Sequence, residues 1–165
     1  MSPQPQPYLS VVVTCRNDDH GGSPVTRIQA FVNSFSSQCR RFGLEAEVIV
    51  VDWNPPGDRP PLADAIRWPA DLACPFRFVV VPPALHDTLR FSDKLPLFQM
   101  IAKNVGIRRA AGQFVLSTNI DIIFADELVE FLAAGRLERG HLYRVDRHDI
   151  ESDFPVDGTA EAQMA

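Results

Sequence analysis

The stretch Leu9 to Cys15, LSVVVTC, is a short apolar run rich in β-branched residues. Such a strand has no face to offer to water, so it belongs inside a sheet covered on both sides. Two more runs repeat the pattern, Glu47 to Val51 (EVIVV) and Phe76 to Val81 (FRFVVV), the latter closed by Pro82-Pro83. Helical periodicity fills the intervals. Ser23-Pro24 supplies an N-cap and a proline at the first helical position, after which Val25, Ile28, Val32, Phe35, Cys39 and Phe42 recur every three or four residues until Gly43. Leu62 to Trp68 reads as a short helix. Pro96 to Ala111 carries Leu97, Met100, Ile101 and Val105 on one stripe, with Gly112 past its end. Gly106 inside that stripe implies close packing of backbone on the sheet or on a ligand. A fourth strand spans Phe114 to Phe124, Asp126 caps a helix bearing Leu128, Val129, Phe131 and Leu132, and His141 to Val145 is a candidate further strand.

Strand and helix alternating over short connections require right-handed crossovers. The expected fold is therefore α/β, a mostly parallel doubly wound sheet with helices on both faces. Residues 9–150 form one domain in this reading, with 1–8 a disordered leader and 151–165 a flexible tail. Net charge −5 gives no footprint for nucleic acid. No apolar run approaches the roughly 20 residues of a membrane span, and MSPQPQP lacks the features of a signal peptide. A cytoplasmic protein is expected, with Cys15, Cys39 and Cys74 as packed, reduced thiols.

Ligands of such sheets bind beyond the carboxyl ends of the strands. Three polar clusters fall there: Thr14 to Asp19, Asp52 to Asn54, and Ser117 to Asp121. No GxGxxG or Walker sequence accompanies them, which argues against the commonest dinucleotide and P-loop sites. Within FVLSTNIDIIF an extended chain would project Asn119 and Asp121 to the same side. Two such oxygens suit a hard cation, Mn²⁺ or Mg²⁺, that completes its shell with water and phosphate; the plainer reading makes them strand-end turn residues. Asp18-Asp19-His20 reads as a solvated loop, and His86, His141 and His148 show no partner at catalytic spacing.

The segment Ala102 to Phe124, AKNVGIRRAAGQFVLSTNIDIIF, resembles the pattern (A)RNxGIxxAxGxFVLFxDxDxxF of nucleotide-sugar glycosyltransferases of the GT-A fold, especially family 2. LSVVVTCRND and VIVVDWNP resemble that family's first and second strands with their polar ends. The resemblance implies a GT-A type domain that binds a nucleotide-diphosphate sugar, by default a UDP-sugar, through a divalent metal and passes the sugar to an acceptor hydroxyl. It places Thr14, Arg16 and Asn17 beside the nucleoside and Asp52 on the base or ribose. Lys103 or Lys94 faces the diphosphate, and Asn119 and Asp121 hold the metal. Three departures stand out: Asn119 replaces the first Asp of the metal motif, Trp53 stands where a second Asp is usual, and Arg16 where an aromatic often stacks on the base.

In the family, the acceptor side and its base lie well downstream of the metal motif. Asp146, Asp149, Glu151 and Asp153 are available here, yet none is assignable as the base. The expectation is a donor-binding half: a natural short form, a piece of a longer chain, or a protein that needs a partner to complete its acceptor side. The alternatives are a nucleotide- or sugar-binding module without turnover and a domain used only for protein association, including a homo-oligomer.

Overall fold

The computed structural model describes residues 6–18 and 22–149. Asp19, His20, Glu151, Asp153 and the expected tail lie outside the described residues. Four parallel strands, β1 (Leu9–Cys15), β2 (Ala46–Trp53), β3 (Phe76–Val81) and β4 (Phe114–Ser117), form one sheet in the order β3-β2-β1-β4. Pairing spreads outward from β1, with Val13 opposite Val50 on one side and Val11 opposite Leu116 on the other. The chain builds β1, β2 and β3 toward one edge and then crosses to the other for β4. The sheet direction therefore switches between β1 and β4.

Side-chain alternation divides β1 between two helical layers. Leu9, Val11, Val13 and Cys15 pack with Ile28, Phe31, Phe35 and Cys39 of α1 (Pro24–Phe42), and with Val129 and Leu132 of α5 (Asp126–Ala133). Val12, with Ile49, Val51 and Trp53 of β2, faces Ala102 of α4 (Gln99–Ile107) on the opposite side. The doubly wound α/β expectation is met. Two short helices, α2 (Leu62–Ala65) and α3 (Pro83–His86), complete the connections.

Several expectations need correction. Ser23 occupies the N-cap position of α1 but is left-handed, with φ 41°, and makes no side-chain cap; its carbonyl instead accepts from the Arg27 N–H. Gly43 does end α1 in the left-handed region, as its sequence position implies. The fourth strand stops at Ser117, and Ile120 and Asp121 form a turn. From there the chain runs beside α1: Phe124 packs edge-on against Phe31 and Phe35, and the Phe124 carbonyl accepts from Gln38. Asp126 is the first residue of α5 and not its cap, its carboxylate being taken by Gln38 and Arg41. His141 to Val145 forms no strand and lies exposed. The last residues of the expected leader are tied in, since the Pro7 and Tyr8 carbonyls accept from the Gln113 and Phe114 N–H groups.

Two glycines have steric explanations. A Cβ on Gly106 would sit 2.5 Å from Val12 Cγ1, which accounts for a glycine in mid-helix where α4 presses on β1. Gly112 does not cap α4, which ends at Ile107. Its Cα lies against β1, where a Cβ would come within 2.6 Å of the Ser10 backbone nitrogen.

Next to Gly112, at the amino edge of the sheet, lies a buried carboxylate network that no local sequence pattern signals. Glu47 accepts from Ser10 Oγ (2.6 Å), the Ala111 N–H (2.7 Å) and Arg77 (3.1 Å), while Ser10 Oγ accepts from the Gly112 N–H. Burial alone would raise the Glu47 pKa, but the Ser10 and Ala111 hydrogen bonds and the Arg77 charge together bring it below its ordinary value of 4.5. Because the folded value lies below the unfolded one, Glu47 stabilises the fold above pH 4.5, and the gain disappears as pH falls through the folded value. Urea midpoints measured from pH 7 down to about 3 should therefore fall, and Glu47→Gln should flatten the slope in the acid limb. An unchanged slope in that variant would show that other groups carry the acid sensitivity.

Cys15, Cys39 and Cys74 are free and buried, as packed thiols should be. Burial, followed by the Asp52 carboxylate, pushes the Cys15 thiol up to about 12, so it is not a nucleophile at neutral pH. The hydrogen bond with Cys74, and then burial, likewise raise Cys39.

Candidate functional site

The carboxyl ends of β1, β2 and β4 bring most of the singled-out residues to one edge. Because β1 alternates, Thr14 lies on the α4 side of the sheet and Cys15 on the α1 side, with Arg16 and Asn17 just past the strand end. Register sets Asp52 beside Cys15. Asp52 is 1 % exposed; one carboxylate oxygen accepts from the Leu62 N–H at 3.3 Å, and the other has no hydrogen-bond partner. Burial raises its pKa, against the Leu62 N–H and the Arg16 charge, which lower it. Thr14 Oγ1 is likewise buried without a partner. Buried polar atoms of this kind are costly unless something pairs with them.

Arg16 spans the strand ends. Its Nε donates to the Asn54 carbonyl at 2.6 Å and its Nη1 pairs with Asp18, while Asn17 donates to the Pro60 carbonyl at 2.9 Å. Trp53, next to Asp52, points into the other layer. It donates to His86 Nδ1 at 2.9 Å and packs edge-on against Phe98. An indole N–H can only donate, so Nδ1 accepts and the His86 proton sits on Nε2, facing the Ser92 carbonyl at 3.2 Å. His86 is thus a buried structural residue. Trp53 cannot serve the role of a second acidic residue, because strand alternation turns it away from Asp52.

The β4 end is built differently from the sequence expectation. Asn119 keeps the strand's alternation and faces α4, where its Oδ1 accepts from Lys103 Nζ and Gln99 Nε2, both at 2.9 Å. Gln99 and Lys103 are four residues apart and share a helix face. Asp121, after the turn, meets Arg27 of α1 at 3.4 Å. Same-side projection requires an extended chain through Asp121, and the turn at Ile120-Asp121 removes it. Lys103 is half-buried; burial lowers its pKa, and the nearby Asp121 charge partly restores it.

These contacts decide how well a divalent ion fits. The two lone pairs of Asn119 Oδ1 are met by two donors, one an ammonium, and Asp121 faces a guanidinium. Among the described residues, no group of three or more His, Cys, Asp and Glu side chains is disposed to hold a metal ion. A dication placed at Asn119 would stand beside a like charge. Asn119 and Asp121 in this arrangement do not fit a resident metal.

Lys94 is not part of the cluster. It is exposed, its ammonium lying 5.8 Å from the centre of the Phe91 ring. The residues that sequence reasoning missed are Arg27 and Gln99. Gln99 was open to detection through its spacing from Lys103, whereas Arg27 meets Asp121 only because of the turn after β4. Both α1 and α4 begin at this edge, so their positive N-terminal dipole ends face it.

No helix among the described residues is long and apolar enough to cross a membrane. No protein-family model, no curated protein and no solved structure matches this chain, so the chemistry of the edge rests on its own residues.

Proposed function

We propose that the domain binds a nucleotide-diphosphate sugar across the carboxyl ends of β1, β2 and β4, as the donor-binding part of a GT-A type glycosyltransferase. The observation that carries this reading is the pairing, at one sheet edge, of a buried carboxylate oxygen without a partner on Asp52 and a half-buried ammonium on Lys103. The first suits an N–H of a base or a ribose hydroxyl, and the second suits a phosphate. Both lie toward the carboxyl ends of the strands, where ligands of open α/β sheets bind: Asp52 on β2, and Lys103 beside Asn119 past the end of β4, next to the point where strand order reverses. Thr14, Arg16 and Asn17 border the nucleoside end.

A second reading, a nucleotide-binding module without turnover, is favoured by the state of the carboxylates. Asp18 and Asp121 are ion-paired, Asp52 is buried, and Asp146 pairs with Arg144 on an exposed segment. None is placed to deprotonate an acceptor hydroxyl.

Calorimetric titration with UDP, GDP and UDP-glucose tests the shared core of both readings. At least one should bind, and Asp52→Asn should weaken it by roughly tenfold, the scale of one buried hydrogen bond to a charged group. Complete lack of nucleotide binding would remove the proposal. Release of glucose from a bound UDP-glucose on prolonged incubation separates the transferase from the module.

A further inference from the structure

Lys103 is the half-buried ammonium of α4, and its hydrogen-bond partner is the neutral amide oxygen of Asn119. Among the described residues it forms no ion pair. An ammonium has three donors, and on a half-buried one without a contacting carboxylate some of them stay open to an anionic ligand. The groups around it repeat that character. Gln99 aims an amide donor at the same oxygen, and Asp121, the carboxylate whose charge reaches Lys103, is itself paired with Arg27. The first turn of α4 adds N–H groups without intrahelical acceptors. Donors and positive charge thus converge at the β4 end, and the oxygens that would serve a metal are already engaged by them.

We propose that Lys103 supplies the positive charge that holds the diphosphate, in the place where a divalent cation would otherwise stand, so that nucleotide binding is independent of metal. Asn119 then acts as a positioning residue: its amide oxygen fixes the ammonium, and the loss of the negative charge an aspartate would bring leaves that ammonium able to pair with a phosphate oxygen. Gln99 donates alongside it, and Arg27 restrains Asp121, whose carboxylate would otherwise repel the anion. This inference rests on the nucleotide reading above for the nucleoside but not for the anion.

The test uses the full chain, with inorganic pyrophosphate and UDP as separate probes, each titrated in EDTA and again in millimolar Mn²⁺. Both should bind in EDTA with affinity within about twofold of that in Mn²⁺. Lys103→Gln should weaken both by roughly tenfold to a hundredfold, while Lys103→Arg, which keeps the charge, should retain most of the affinity. An unchanged melting temperature in Lys103→Gln would show that the loss is local, and binding of uridine, which has no phosphate, should not respond to the substitution. UDP that binds only with Mn²⁺ would overturn the inference and leave the nucleotide reading standing. Pyrophosphate binding through Lys103 with no added affinity for UDP would keep the anion site and sink the nucleotide reading. Failure of both probes in EDTA and in Mn²⁺ would overturn both.

Discussion

Gly112→Ala should destabilise the domain by roughly 3–5 kcal/mol, a large part of the 5–15 kcal/mol that holds a typical domain together. The added methyl would lie 2.6 Å from the Ser10 nitrogen, 2.8 Å from the Leu9 carbonyl carbon and 2.8 Å from Ser10 Oγ. Two of those atoms are backbone of the central strand, paired on both sides, so they have no low-energy way to retreat. Relief must come from moving the α4–β4 connection, which breaks the Gly112 N–H contact to Ser10 and disturbs the Ala111 hydrogen bond to Glu47. The clash and the network loss then add. Urea unfolding of the purified variant measures the sum; a shift below about 1 kcal/mol would mean that the connection yields freely and the close approach is not a constraint.

Phe35→Ala should cost a similar amount, about 3–5 kcal/mol, for a different reason. Phe35 is fully buried, stacked on Phe31 at 5.7 Å between ring centres and met edge-on by Phe124 at 5.6 Å. Truncation opens a cavity between α1 and the chain that descends from β4. The position of Phe124 depends on those rings, and Asp121 sits three residues before it. The variant should therefore also loosen the Arg27–Asp121 pair, whereas Phe35→Leu, which refills most of the space, should recover much of the stability. If Phe35→Ala unfolds at the wild-type denaturant concentration, the α1 layer repacks more readily than a close-packed interior should.

What could be read from the residues follows their physics. The runs LSVVVTC and FRFVVV mark their strands to the residue, the first because it is buried throughout and the second because Pro75 and Pro82 bound it. The helical stripe of α1 and its stop at Gly43 were legible for the same kind of reason, since periodicity and a left-handed terminus are both local properties. FVLSTNIDIIF misled because Ile120 and Phe124 are core residues in either conformation. An apolar pattern says that a segment is buried, not that it stays in the sheet. Glu47 and Arg77 could not be paired in advance, being brought together only by neighbouring strands. At the candidate site, Thr14, Arg16, Asn17, Asp52, Lys103 and Asn119 come to one edge because sheet topology places strand ends together. The partners of Asp121 and Asn119 depended on a turn and on helix orientation, neither of which spacing encodes.

The brevity of β4 bears on how the protein behaves when crowded. It is the outermost strand on its side and runs only four residues, from Phe114 to Ser117, with Val115 43 % exposed. An outer strand is a template for recruiting other chains, and a long flat one would invite them. Here the template stops after a few rungs because the turn at Ile120-Asp121 carries the polypeptide out of the plane. The same bend that sends Asp121 to Arg27 therefore keeps this edge of the sheet short.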